Sequence, residues 1–305
     1  MRILLTGATG TIGSAVLDEL VEAGHEVRAI VRSEQSARAV AARGAVARLG
    51  EVTDASWFGA ELAEADAAIH TAAPASGAAE FDAAVLEAVG AEFAATGRRF
   101  VHTSGIWEYG SGATLQDDGP LDPPEIVAWR VPLEERLLAG PVSATIIAPG
   151  VVYGAGGIPE LLTTPGPDGR VRLVGDGRQH WSLVHRGDLA RLYRIAVEHP
   201  QEQGRLIAVD GRPQTVRAIG EATVAAGRAT ALVEESVEET RARLGTPFAD
   251  ALLLDQRALG EKARALGWQP AHRSVLEEVF GDEAWERRTG NDEPVMTKPG
   301  DAGAQ

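Results

Sequence analysis

The sequence predicts an α/β fold built on a doubly wound parallel sheet, with a smaller, mainly helical lobe toward the C-terminus. Three observations carry this. Short apolar runs alternate with helix-period segments through the first 150 of 305 residues. A glycine-rich turn joins the first run to the first helical segment. After residue 150 the alternation gives way to a stretch rich in Gly and Pro, and then to helical patterns.

The run 2–6 is a strand, and the turn after it opens a helix from about 11 to 23, stopped by Gly24. A second strand covers 25–31, a helix 34–43, a short strand 45–49 and a fourth strand 66–71. A long helix pattern at 79–96, a strand at 98–104, a helix at 125–139 and a strand at 142–150 continue the rhythm. Beyond it stand a short strand at 171–174, a helix at 187–198 and a strand at 206–210 that returns to the sheet. Helices are expected at 215–227, 236–244, 255–266 and 274–280. The expected organisation is a nucleotide-binding domain over 1–155 with 183–214 returning to it, a lobe from 156–182 and 215–285, and a disordered tail at 286–305.

Composition removes several function classes. Against 44 acidic residues stand 29 Lys and Arg, a net charge of −15, which argues against nucleic acid as a partner. There is no cysteine, so thiolate catalysis, disulfides and cysteine metal sites are excluded. No run has the apolar length of a membrane span, and MRILLTGATG enters a strand and turn directly, not a signal peptide. A cytoplasmic protein with no membrane partner is expected, as monomer or homodimer; the helix pair 79–96 and 125–139 offers a dimer face. No His and carboxylate spacing suggests a metal site.

The turn itself carries chemistry. Gly7, Thr9, Gly10, Thr11, Ile12 and Gly13 stand between strand and helix. Glycines bring the backbone close to a pyrophosphate, and the helix start supplies unpaired N–H groups and a favourable dipole. With a second strand following, this is the context of a Rossmann dinucleotide site. The alternative is a glycine turn without a ligand. Strand two ends in Arg32-Ser33, where an acidic residue would grip the ribose hydroxyls of NAD(H). Arg32 pairs instead with a 2′-phosphate and Ser33 adds a hydroxyl, so NADP(H) is the preferred cofactor and NAD(H) the second choice. A solvated Arg32 is the alternative.

These residues resemble the extended short-chain dehydrogenase/reductase superfamily, which includes nucleotide-sugar epimerases and dehydratases. The likeness spans about residues 1–280 and adds Gly50-Glu51-Val52, TAA at 71–73, TSGIWEYG at 103–110, APGVVYGAGG at 148–157, VHRGDLA at 184–190 and LGWQP at 266–270. The resemblance implies that Glu51 and Val52 flank adenine. It implies that Thr71, Ala72 and Ala73 line the ribose and pyrophosphate path, and that Pro149, Val151 and Val152 lie near the nicotinamide.

The family's proton-transfer machinery is a Ser or Thr with a YxxxK motif, and here it is broken. The matching segment, PPEIVAWRVPLEERLL at 123–138, has Ile126 at the tyrosine and Arg130 at the lysine. Gly105 stands at the Ser/Thr position, with Ser104 just before it. Isoleucine exchanges no proton. Arginine stays charged and can hold ribose hydroxyls or stabilise an anion. The candidate catalytic residues are therefore Ser104 and Arg130 to polarise a carbonyl, with His180 or water as proton source and Tyr109 as a further acid. Tyr153 is a weaker candidate, Trp107 and Trp129 are possible pocket walls, Asp188 is a structural group, and Asp117, Asp118 and Asp122 are solvated.

Two functions are compatible with this set. One is an NADP(H)-dependent oxidoreductase or epimerase-like enzyme acting on a small carbonyl, hydroxyl or sugar-like substrate by noncanonical proton transfer. The other is a non-catalytic NADP(H)-binding redox sensor or regulatory protein.

Overall fold

The computed structural model describes residues 1–281. Seven parallel strands form the central sheet: β1 (Arg2–Thr6), β2 (Glu26–Val31), β3 (Val46–Leu49), β4 (Ala67–His70), β5 (Arg99–Thr103), β6 (Ser143–Pro149) and β7 (Gly204–Ala208). Their order is β7-β6-β5-β4-β1-β2-β3. The chain thus winds outward from β1 in one direction, then crosses to β4 and winds in the other. The gap between β1 and β4, at their carboxyl ends, is where such sheets admit ligands.

Both faces are covered, as an all-parallel sheet requires. On one side lie α1 (Thr11–Glu22) and, from late in the chain, Arg186–Glu198; Val16, Leu17, Leu20, Leu189, Leu192 and Tyr193 share one core with Ile3, Leu5 and Ile69. On the other lie Ala55–Ala63, Ala78–Phe93 and Arg130–Ala139; Phe58, Leu62, Val85, Val89 and Phe93 pack with Leu4, Phe100 and Ile146. A third core gathers Tyr153, Leu162, Val171, Trp181, Ile219 and Val275 in the mainly helical C-terminal lobe. No helix of the described residues is long and apolar enough to cross a membrane.

Three departures from the sequence reading stand out. The helix expected at 125–139 is two pieces, Glu125–Ala128 and Arg130–Ala139, parted at Trp129. Pro132 has no N–H for the carbonyl four residues back, Ala128, which breaks the ladder there. The helix expected at 255–266 begins only at Glu261, and Gln256–Ala258 is a strand paired with Gly112–Leu115. The buried Gln256 amide donates to the carbonyls of Ile106 at 2.8 Å and Gly110 at 2.7 Å, and Gly260, at φ +65°, then turns the chain. Helix Ala55–Ala63, capped by Asp54, was not foreseen. The tail expected from 286 to 305 lies outside the described residues.

Candidate functional site

The glycine turn is as close-packed as its chemistry needs. Gly7 has φ +75°, and a Cβ there would meet the backbone of Thr71 and Ala72 at 2.6–2.8 Å. A Cβ on Gly13 would stand 2.1 Å from the Gly7 carbonyl oxygen and 2.5 Å from Thr71 Oγ1. Thr71 is pinned in turn by a 2.7 Å bond from its hydroxyl to the Thr6 carbonyl. Gly10 caps α1 without a side chain, so the N–H groups of the first turn remain open to an anion.

A cavity of about 500 Å³ opens over this turn. Gly7, Thr9 and Gly10 form its floor; Arg32 and Ser33, Glu51 and Val52, and Thr71, Ala72 and Ala73 arrive from the ends of β2, β3 and β4. Ser33 also caps the next helix, accepting from the Ser36 amide at 3.1 Å. Arg32 is exposed, and no side-chain hydrogen bond or ion pair holds it among the described residues. The unspent phosphate donors, the room at the switch point and this free guanidinium fit a dinucleotide. Gly13 lies beneath the cavity and makes room for the turn. Gly50, a mark of the resemblance, also lines it, as do Thr6, Ile30, Pro74 and Phe81, which the sequence reading passed over.

A second cavity, about 310 Å³, adjoins the start of α1. Thr11 and Ile12 form one wall, Pro149, Val151 and Val152 another, and Ser104 and Arg130 a third. Ile106, Trp107, Val127 and Ile158 complete an otherwise apolar lining. Arg130 donates to the Thr103 carbonyl at 3.0 Å and stacks 4.9 Å from the Trp129 ring. Its Nε is buried and unpaired. The site therefore presents a fixed cation and a serine against an apolar wall, a setting that favours developing negative charge on a substrate oxygen.

The remaining candidates stand elsewhere. Tyr109 is buried and donates to the Asp117 carbonyl at 2.9 Å, and burial pushes its pKa up. Tyr153 is buried against the His185 ring. The third tyrosine, Tyr193, bonds Thr103 Oγ1 at 2.6 Å. None of the three lines either cavity. His180 lines neither; Asp255 accepts from its amide at 2.8 Å and its ring lies 2.9 Å from the same oxygen. Asp117, expected in solvent, is buried and accepts from the Ile207 amide at 2.7 Å. Asp188 is structural as expected: buried, it accepts from the amides of Ala271 and His272 at 3.0 Å each.

Behind Ser104 lies a buried polar cluster that the sequence reading did not assemble. Arg205, on β7, donates to Glu108 at 3.1 Å and to Glu134. Glu134 Oε1 is 3.6 Å from His102 Nε2, which is 3.9 Å from Asp82. Asp82 accepts from His70 Nε2 at 3.1 Å, and His70 Nδ1 meets the Thr6 hydroxyl at 2.7 Å. Burial, then the nearby Glu134 charge, pushes Glu108 up to about 7. Burial raises Glu134 as well. Burial, then His70, holds His102 down to about 3, so its imidazole is neutral. Burial would raise Asp82, yet the hydrogen bond and charge of His70 keep it below the ordinary value. A signal was present: Glu108 stands in the apolar run IWEY and Arg205 in the buried strand GRLIA.

Residues 7–200 match a protein family described as NAD(P)H-binding. The chain belongs to that family, and its parallel, doubly wound sheet is of the Rossmann type. It is similar to an uncharacterized protein of Schizosaccharomyces pombe, 29% identical over 304 residues, covering 92% of this chain and 99% of that one. It is also similar to 4-hydroxy-2-methyl-3-oxo-4-farnesyl-3,4-dihydroquinoline-1-oxide ketoreductase of Stigmatella aurantiaca, 28% identical over 236 residues, 71% of this chain and 70% of that one. Among solved structures, the human epimerase family protein SDR39U1 with NADPH superposes at TM-score 0.71, with 22% identity, over 92% of this chain and 99% of that one. The UDP-glucose 4-epimerase of Thermus thermophilus, in complex with NAD, gives 0.70 and 19%, over 92% and 99%.

Proposed function

We propose that this chain is an NADP(H)-dependent reductase of small, largely apolar carbonyl compounds. The observation that carries the reading is the second cavity, where Arg130 and Ser104 are polar groups in an apolar lining beside the start of α1. The glycine turn and α1 would hold the pyrophosphate, Arg32 and Ser33 the 2′-phosphate, and Pro149, Val151 and Val152 the nicotinamide side. The bound cofactor supplies hydride. Arg130 stabilises negative charge on the carbonyl oxygen, while the apolar wall excludes water and seats the carbon skeleton. A relative named as a ketoreductase of a farnesylated quinoline supports this substrate class. The NADPH in the human relative supports the cofactor, while the NAD in the bacterial epimerase keeps NAD(H) as the second choice.

A second reading, a non-catalytic NADP(H)-binding protein, is favoured by one observation: no tyrosine lines either cavity. One experiment separates the two. Equilibrium binding of NADPH, NADP⁺, NADH and NAD⁺ is followed by NADPH oxidation across a panel of aryl and alkyl ketones. The reductase reading expects tighter binding of the phosphorylated pair and ketone-dependent oxidation. Tight NADPH binding with no oxidation across the panel favours the binding protein.

A further inference from the structure

We propose that Glu108 and Glu134 form a proton-holding acid pair that serves the cavity through Ser104, in place of the absent tyrosine. The proposal rests on the reductase reading for its use, but the acid pair itself stands on geometry.

Both carboxyl side chains are 0% exposed and both bond the one guanidinium of Arg205. Two carboxylates against a single shared cation would leave a net negative charge in a dry interior, which is costly. One retained proton removes that charge. Arg130 is a second cation near the pair, and its charge lowers both acids without offsetting their burial. His102, from β5, is neutral; Asp82, from the long helix above it, is an anion held by His70; Arg130 is directed at the Thr103 carbonyl and Trp129. Moreover, Glu108 Oε1, Glu134 Oε1 and Ser104 Oγ are all buried and none has a well-formed hydrogen bond. Three unpaired buried oxygens at one pair, beside the unpaired Arg205 Nη2, call for an explanation, and a carried proton is one that a catalytic role supplies. Ser104 directly precedes the turn that carries Glu108, whose amide donates to the Gly105 carbonyl at 3.2 Å, and its buried hydroxyl has no partner of its own. Ser104 also lines the apolar cavity beside Arg130. It is thus a shared member of acid pair and substrate cavity, and its unpinned hydroxyl can turn between them.

The step balances. Reduction of a carbonyl consumes one hydride, drawn from the reduced nicotinamide cofactor, and one proton. The Ser104 O–H proton passes to the alkoxide oxygen as the shared carboxyl proton passes to Ser104 Oγ. The pair is left ionised against Arg205, and a proton from bulk solvent, relayed by water that enters after product departure, restores the acid. Glu108 and Glu134 are positioning residues in this scheme, because they act through Ser104.

The test begins with the ligand-free protein, so its failure is distinct from failure of the reductase reading. Infrared spectroscopy at neutral pH should show the carbonyl stretch of a buried carboxylic acid. Glu108→Gln and Glu134→Gln should each remove the same component of it, distinct from that of the buried Asp210, whose carboxyl burial pushes up to about 8, and Ser104→Ala should shift that component's frequency. Absence of the band in the unaltered protein, or a band indifferent to all three substitutions, overturns the proposal. Where a Glu→Gln variant fails to fold, Ser104→Ala, a small change at the cavity wall, decides alone. In ketone turnover, Ser104→Ala should lower kcat at least tenfold and raise the solvent isotope effect, with NADPH affinity unchanged. An unaltered kcat and isotope effect overturn the relay.

Discussion

Arg130 donates from its guanidinium to the carbonyl of Thr103 at 3.0 Å, tying a helix of the second Rossmann half to the carboxyl end of β5. This bond holds the cation at the cavity edge in a place where a lysine would reach a ribose as a flexible point charge. Arginine's planar fork can keep one N–H on the protein and turn others to a ligand. Arg130→Ala should therefore lower kcat/KM for a ketone by roughly 100-fold, the scale of losing one preorganised donor to a developing oxyanion. NADPH affinity should fall less, by about tenfold at most, the scale of one hydrogen bond. Arg130→Lys should recover only part of the turnover. Stopped-flow hydride transfer and equilibrium titration measure the two effects separately; an equal loss in both would make Arg130 a cofactor anchor only.

Arg32 stands exposed at the end of β2, over the first cavity and free of any intramolecular ion pair among the described residues. A charge-assisted contact to a 2′-phosphate is worth about 1.5–3 kcal/mol. Arg32→Ala should weaken NADPH by roughly 10- to 150-fold and leave NADH nearly unchanged. Calorimetric titration of both cofactors checks this. Equal weakening of the two would remove Arg32 from cofactor choice.

Gly13 and Gly90 make a matched pair of glycines with opposite expectations. Alanine at Gly13 would press its Cβ to 2.1 Å from the Gly7 carbonyl, against backbone that can move only by opening the turn. Gly13→Ala should cost about 1–3 kcal/mol of stability, as overpacking does, and abolish cofactor binding. Gly90 lies inside helix Ala78–Phe93 with nothing within 4 Å of the added atom. Gly90→Ala should stabilise the protein by about 0.5–1 kcal/mol through helix propensity alone. Urea unfolding of both variants tests the contrast.

What the sequence made legible follows from the range of the forces involved. The glycine turn, the strand sequence of the sheet and Arg32-Ser33 at the end of β2 are set by local periodicity and local backbone chemistry, whereas the cavity residues at the ends of β3 and β4 were read from the family resemblance. Ser104 and Arg130, at the end of β5 and the start of a helix, were likewise found by matching the family's motif. The acid pair was not, because Glu108, Glu134 and Arg205 come from a 3₁₀ turn, a helix and an edge strand that only the fold brings together. Each alone looks like an ordinary charge. Asp117 misled for the same reason: its polar neighbours in sequence suggest solvent, whereas the amide of Ile207, far along the chain, accounts for its burial. Gln256 likewise reads as helical, yet two remote carbonyls draw it into a strand.

The buried cluster should leave a signature in stability as a function of pH, and its two principal members pull in opposite directions. His102 has its pKa lowered from 6.5 to about 3, by burial and then by His70. The unfolded chain takes up this proton below 6.5 and the folded protein does not, so His102 contributes stability above 6.5 that is lost as pH falls toward 3. Glu108 has its pKa raised from 4.5 to about 7, by burial and then by Glu134. Here the folded state holds the proton more tightly, so its contribution is full below 4.5 and is lost as pH rises through 7. Between 4.5 and 6.5 the two slopes oppose one another, each approaching about 1.4 kcal/mol per pH unit. His102→Gln should therefore make stability fall with rising pH across this window, relative to the unaltered protein. Glu108→Gln should make it rise. Urea denaturation midpoints at intervals from pH 4.5 to 6.5 give the slopes directly. Two variants tilting the same way, or neither tilting, would mean that these groups do not hold their protons as their burial dictates, and the acid pair would lose its physical basis.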